Sequence, residues 1–269
     1  MSERNEHLLV DRTGPDGSVL LLTMNRPEAR NAFSLEMLAG MADAWHMLDT
    51  DDTLRVAVLT GGEKTFSSGA DLKMMHGDQS ANPIMQRFKD DPDLHWRAMM
   101  RNVRPKKPVI AAVEGIAFGG GTEVLQGTDI RVAGRSAKFA LTEVCWGLFP
   151  MGGSTVRLRR QIPFAKAMDM LLTGRIVSAV EAEQWGLISR VVDDGQAVTE
   201  ALAVAATIAS NGPLAVQAIK RAVIEFDGLT ETEALQRELT IGWPIFQTED
   251  AKEGPRAFKE KRKAVFKGR

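Results

Sequence analysis

Apolar positions along the chain fall into two alternating rhythms. The runs "SVLLLTMN" (residues 18–25) and "LRVAVLTGG" (residues 54–62) are short, rich in leucine and β-branched side chains, and end in turn residues, which is the pattern of buried strands. Between them the period changes. Leu35, Leu38, Met41, Trp45 and Leu48 recur every three or four residues behind Ser34, a good N-cap, so the spacing predicts a helix with one apolar face against a sheet. "PVIAAVEG", "DIRVAG" and "AKFALTEV" predict further strands, and a glycine-flanked helix near residues 120–128 links the first of them to the second. Ser178 and Glu181 have capping-box spacing, and Gly186 stands where that short helix ends, before a strand in "LISRVV". Beyond residue 195 the pattern is helical only. Pro213 opens "PLAVQAIKRAVIEF", and the basic tail "AKEGPRAFKEKRKAVFKGR" predicts a last helix. The chain therefore divides near residue 205 into an α/β part, 1–204, and a helical part, 205–269.

Composition narrows the class. With 269 residues, 44% of them hydrophobic, the chain can bury a sizeable core. Its 34 basic and 35 acidic side chains nearly cancel, so nothing in the balance points to nucleic acid or an anionic membrane surface. One cysteine, Cys145, rules out an intrachain disulfide framework and fits a reducing compartment, with the cytoplasm as the default location. The N-terminal "MSERNEHLLV" resembles no targeting segment, and the most apolar run, interrupted by Glu114 and glycines, falls short of the roughly 20 residues a membrane-spanning helix needs. The four histidines show no metal-ligand spacing, so no metal is expected; Cys145, with no histidine near it in sequence, reads as a small buried thiol.

The candidate chemistry begins at "FGGGTEVLQGTDI". A strand, a loop and a helix follow one another here, so Gly119, Gly120 and Gly121 lie at a helix start, where backbone N–H groups have no intrahelical acceptor. Such donors favour an anionic oxygen, and glycine lets a ligand approach without meeting a Cβ. The stretch lacks both the Gly-Lys-Ser/Thr ending of a P-loop and the G-x-G-x-x-G spacing of a dinucleotide site, which favours an oxyanion formed during a reaction over phosphate. A second small-residue turn, "KTFSSGADLKMM", exposes backbone at Ser67, Ser68, Gly69 and Ala70; one N–H from each turn could clamp one carbonyl oxygen. Taken singly, each turn also reads as an ordinary strand-to-helix connection.

The ordered set "MNRPEARNAFS", "TFSSGADLKM", "IAFGGGTEVLQGTDIRVA", "FALTEVCWGLFPMGG" and "EDAKEGPRAFKEKRKAVF" resembles the enoyl-CoA hydratase/isomerase (crotonase) superfamily over almost the whole chain. The resemblance implies a crotonase-like spiral of repeated ββα units with a C-terminal α-helical trimerisation region, and hence a homotrimer or a hexamer built as a dimer of trimers. It implies an acyl-CoA thioester substrate, with coenzyme A entering as part of that substrate and no separate cofactor. It assigns the oxyanion hole to the backbone N–H groups of Ala70 and Gly120.

Glu123 and Glu143 match the two glutamates that hold and activate water in the family's hydratases. Hydration of an enoyl thioester needs a base for the water and an acid for Cα, which two carboxylates can supply. By spacing alone, Glu123 could equally complement its helix dipole and Glu143 could be a solvated strand-end charge. The resemblance places the CoA and acyl group against Ser68, Gly69, Asp71, Leu72 and Gly119, with Arg26, Arg30, Lys73 and Lys261 as candidate phosphate partners. Trp146, Phe149 and Met151 are bulkier than the familiar pattern and would reshape the acyl pocket, although Trp146 could also be core. The irregular stretch over residues 76–100 is expected to border the acyl group. The favoured activity is enoyl-CoA hydratase. A Δ3,Δ2-enoyl-CoA isomerase, an acyl-CoA thioester hydrolase and a non-catalytic acyl-CoA binder are the alternatives on the same fold.

Overall fold

The computed structural model describes residues 5–71 and 82–269. Six strands form the main sheet in the order β1 (Leu8–Thr13), β2 (Val19–Met24), β3 (Val56–Thr60), β4 (Val109–Val113), β6 (Ile130–Gly134) and β9 (Arg190–Val192). Only β1–β2 is antiparallel. A second, smaller sheet contains β5 (Ile116–Phe118), β7 (Lys138–Ala140) and β8 (Val177–Ser178). Consecutive windings of the chain lay one strand in each sheet and then turn into a helix: β4 and β5 lead to α4 (Gly120–Leu125), and β6 and β7 to a 3-10 turn over Thr142–Trp146. This is the expected spiral of ββα units. The winding through β3 takes part as well, since Ser67 makes a parallel bridge to Ala117 of β5.

The parallel strands are buried on both sides, which explains why they read as continuous apolar runs. Leu20, Leu22, Ala57, Leu59, Ala111 and Val113 pack with Met37, Met41, Trp45 and Leu48 of α1 (Leu35–Thr50). Alternate residues Val19, Val56, Val58, Ile110, Ala112 and Val132 face Ala197, Ala201, Val204 and Ala205 of α8 (Ala197–Ala209). Truncating one of these large side chains to alanine would cost about 2–5 kcal/mol. Ser34 caps α1 by accepting from Met37 N at 3.1 Å, and Trp45 Nε1 donates to Ala98 O at 2.9 Å, tying α1 to α3 (Leu94–Ala98), which α2 (Met85–Asp90) precedes. The buried Glu114 accepts from Gly195 N and Ala197 N, both at 3.0 Å, and so fixes the start of α8.

Three sequence expectations change. The divide near residue 205 falls inside α8, which belongs with the sheet; the chain leaves the sheet at residues 210–212, where α9 (Pro213–Glu225) departs at 108° to α8. β1 has no counterpart in the apolar reading because it is an edge strand with Leu9 and Val10 both exposed. The tail is helical only over α11 (Glu249–Lys259), which follows α10 (Glu231–Phe246). Lys261 takes a left-handed φ of 55°, and the last residues fold back, with Lys267 N and Gly268 N donating to Asp250 at 2.7 and 2.8 Å and Val265 N to Glu253 at 3.0 Å. Of the remaining helices, α5 (Ser154–Gln161) packs on α6 (Phe164–Thr173), α6 on the Thr142–Trp146 turn, and α7 (Ala179–Trp185) on β7, β8 and β9; α7 starts on the expected Ser178–Glu181 capping box.

Candidate active site

The small sheet aligns three junctions. Ser67, Ala117 and Phe139 stand side by side across it, so the positions three residues on, Ala70, Gly120 and Thr142, begin the connections of three successive windings. Ser67 locks the first of them: its N–H donates to Ile116 O at 3.0 Å, its carbonyl accepts from Phe118 N at 2.9 Å, and its hydroxyl donates to Asn31 O at 2.7 Å and accepts from Gly69 N at 3.0 Å. Two glycines then make the approach possible. Gly69 (φ 91°) and Gly119 (φ 51°) both sit in the left-handed region, and a Cβ on Gly69 would lie 2.8 Å from Gly120 N and 2.6 Å from Phe118 O. A Cβ on Gly120 would lie 3.6 Å from Ala70 N. Neither the Ala70 nor the Gly120 amide donates to an acceptor among the described residues. Two free N–H groups from separate windings thus flank one small gap.

Both carboxylates come to this gap. Glu123, in the first turn of α4, is 5% exposed, and its Oε1 accepts from Ser154 N at 3.2 Å. Burial raises its pKa, while hydrogen bonds from the Gly152 and Ser154 amides and the Ser154 hydroxyl act against the rise. Glu143, in the 3-10 turn after β7, sits against Gly119, where an added Cβ would lie 3.1 Å from its Oε1. Gly119 N donates to Ala140 O at 2.9 Å, and this bond keeps the two junctions together. Burial, with the charge of Glu123 adding to it, pushes the Glu143 carboxyl up to about 7; its Oε2 is buried without a hydrogen-bond partner. Two buried carboxylates beside two free amides can stabilise a developing oxyanion and move protons on either side of it.

The other candidates are distributed more widely. Ser68 anchors the first turn, its N–H donating to Arg30 O at 2.9 Å and its hydroxyl to Ala29 O at 3.3 Å; Arg30 itself is exposed with φ 52°. Asp71 is joined to Arg26 at 2.7 Å, so Arg26 serves the turn as well as any phosphate. Leu72, Lys73 and the first part of the 76–100 stretch lie outside the described residues. Trp146 is 67% exposed and is not core; Phe149 and Met151 are exposed beside it. Cys145 is exposed too, contrary to the buried thiol expected, because the tight turn after Glu143 points it outward, where it contacts Thr173 O at 3.8 Å. Lys261 is exposed at the end of α11, away from the glycines in sequence and element. Gly152 and Ser154 contribute to the site without being marked in the sequence, since any residue can supply an amide; a Cβ on Gly152 would lie 2.7 Å from Glu123 Oε2, which alone would have shown why glycine stands there. Two cavities lie apart from this cluster, one of about 1330 Å³ between α5, α9 and α10 and one of about 500 Å³ between α1 and the α2–α3 segment.

Known proteins resemble this chain over nearly its whole length. The family model described as enoyl-CoA hydratase/isomerase matches residues 14–269. The enoyl-CoA hydratase EchA19 of Mycobacterium tuberculosis is 51% identical over 265 residues, covering 96% of this chain and 98% of its own. A mitochondrial enoyl-CoA hydratase of Pongo abelii is 37% identical, covering 97% and 88% of the two chains. The crystal structure of an enoyl-CoA hydratase from Mycobacterium tuberculosis superposes with a TM-score of 0.88 at 38% identity, over 98% of this chain and 100% of that one.

Proposed function

The chain belongs to the enoyl-CoA hydratase/isomerase family, and from that premise we infer that it is an enoyl-CoA hydratase, a lyase adding water across the α,β double bond of a trans-2-enoyl-CoA. The observation that carries the reading is the pair of buried carboxylates, Glu123 and Glu143, at the same gap as the two free amides. In this reading the thioester oxygen lies between Ala70 N and Gly120 N, which take up negative charge as water attacks Cβ. Glu123, which accepts the Ser154 amide N–H, acts as base, accepting a proton from the water. Glu143 keeps its proton to near neutrality and delivers it to Cα. The product is the 3-hydroxyacyl-CoA, and proton transfer between the two acids through solvent resets the site.

Coenzyme A enters this scheme only as part of the substrate, and the setting is cytoplasmic. The assembly is a trimer or a dimer of trimers: α9 and α10 carry Ile219, Val223, Leu235, Leu239, Trp243 and Phe246 at 54–73% exposure, an apolar surface that a neighbouring copy would cover. The test of the activity is a spectrophotometric assay with crotonyl-CoA, a 3-enoyl-CoA and a saturated acyl-CoA in parallel. Loss of the conjugated double bond from crotonyl-CoA supports the reading. Conversion of the 3-enoyl-CoA alone would make the chain an isomerase, thiol release from the saturated thioester a hydrolase, and binding without turnover a carrier.

A further inference from the structure

The groove of about 1330 Å³ between α5, α9 and α10 shares no lining residue with the glycine gap, and its charges are lopsided. Six basic side chains line it, Arg104, Lys106, Arg157, Arg160, Lys220 and Arg221, against two acidic ones, Glu225 and Asp227. Ion pairs account for half of the six: Arg160 pairs with Asp227 at 2.6 Å, Arg221 with Glu225 at 2.7 Å and Lys220 with Asp129 at 2.6 Å. The other three have no carboxylate partner among the described residues. Arg104 donates to Gln126 O at 3.3 Å, Arg157 Nη2 to Met100 O and Arg101 O at 2.6 and 2.7 Å, and Lys106 uses only its backbone N–H, toward Asp49 at 2.8 Å. Arg157 Nη1 is buried with no partner at all, which is costly for a charged donor until an acceptor arrives. Burial, with the charges of Arg104 and Arg101 adding to it, pushes the Arg157 guanidinium down to about 10, so an anion bound here would relieve a crowding of like charge.

Much of the remaining wall is apolar. Val156 of α5, Ile224 of α9, and Ile241 and Ile245 of α10 line the same groove. Ile241 and Ile245 stand one turn apart and are half-buried, whereas Leu239, Trp243 and Phe246 of the same helix are exposed, so α10 has two apolar faces. The outer one is the surface given above to a neighbouring copy, and the inner one borders the groove. Two guanidinium forks without a carboxylate suit a planar carboxylate, and the groove exceeds the roughly 300–1,000 Å³ of ordinary small-molecule sites. We infer that this groove binds an amphiphilic anion, a carboxylate carrying a medium-length alkyl tail, with its head on Arg104, Lys106 and Arg157 and its tail between α9 and α10. The inference goes beyond the hydratase reading and needs no turnover.

The experiment is isothermal titration calorimetry of the full-length protein with decanoate below its micelle concentration. Arg104 and Gln161 both donate to Gln126 O at the end of α4, at 3.3 and 3.0 Å, so the groove adjoins the helix that carries Gly120 and Glu123, and each titration is run with and without saturating acetyl-CoA. Decanoate should bind equally in both. Arg104→Gln and Lys106→Gln should each weaken it about tenfold, the effect of one lost charge-assisted hydrogen bond. Ile241→Asp, which sets a like charge in the wall of the tail, should weaken it by about tenfold or more. Circular dichroism checks that each variant is folded, and Lys106, which is exposed, keeps the test decisive if the other two are not. Acetate, which lacks the tail, and decyltrimethylammonium, which reverses the charge, should bind about tenfold more weakly or less. Tighter binding of decyl phosphate than of decanoate would assign the head to a phosphate and overturn the carboxylate. Loss of decanoate binding in acetyl-CoA would move the site to the glycine gap. That result, unchanged affinity in folded Lys106→Gln, equal affinity for the quaternary ammonium, or no binding at all would overturn the inference.

Discussion

Replacing Glu143 with glutamine should make the protein more stable above neutral pH while it abolishes hydration. An unfolded glutamate loses its proton at the ordinary value, whereas folded Glu143 holds it up to about 7, so between those values the folded state binds more protons than the unfolded state. Stability therefore falls as pH rises through that window and levels off above it. At 1.36 kcal/mol per pH unit the full difference is roughly 3 kcal/mol, and partial solvent access to the side chain reduces the working figure to about 2 kcal/mol. Glutamine keeps the shape and never ionises. For a chain of this size about 2 kcal/mol corresponds to roughly 4–8 °C in the unfolding midpoint. Melting curves of wild type and Glu143→Gln followed by circular dichroism from pH 5 to pH 9 should coincide to within a constant offset at the acid end and separate by that amount at the alkaline end. Groups that do not interact with Glu143 titrate alike in both proteins and drop out of the difference, leaving Glu143 and its neighbour Glu123. A difference in midpoint that stays flat across the range would refute the reasoning, since the carboxyl would then carry no burial cost.

Three further outcomes are expected. Glu123→Gln and Glu143→Gln should each lower kcat for crotonyl-CoA hydration about 100-fold or more with CoA affinity little changed, and full activity in either variant would defeat the two-acid mechanism. Gly120→Val should remain folded by circular dichroism yet lose about 100-fold or more in kcat, because its Cβ would lie 3.6 Å from Ala70 N and 3.2 Å from Phe33 Cε2, at the edge of the gap that the proposed reading gives to the thioester oxygen. Light scattering at micromolar concentration should give about three times the 29.4 kDa chain mass or a multiple of that, and a species at the chain mass would reject the assembly proposed.

Local signals account for what the sequence made legible. The apolar stripe and serine cap of α1, the capping box of α7 and the glycines opening α4 each act within a few residues, and all three stand as read. What stayed hidden is set by pairing over distance. Glu123 and Glu143 meet because Ala117 pairs with Phe139 and Phe118 with Ala140, a register that no local spacing encodes. Asp71 meets Arg26 across 45 positions, and the amides of Gly152 and Ser154 reach Glu123 by way of their backbone, which carries no residue-type signature. The exposure of Trp146 and Cys145 was equally unreadable, for whether a turn presents its side chains outward depends on the windings stacked beneath it.

The repetition of the winding has a consequence for how such a protein can change. Ala70 and Gly120 occupy the same place on two neighbouring turns of the spiral, and Glu143 stands one residue past that place on the next. In the reading proposed above, the grip on the thioester comes from the first two turns and the acid Glu143 from the third, while the base Glu123 shares α4 with Gly120. Loss of the Glu143 side chain leaves the backbone of the first two turns intact, so a variant without that acid should still fold and keep the two free amides. A side chain changed at one junction therefore alters the chemistry offered beside the two amides without rebuilding the turns that carry them.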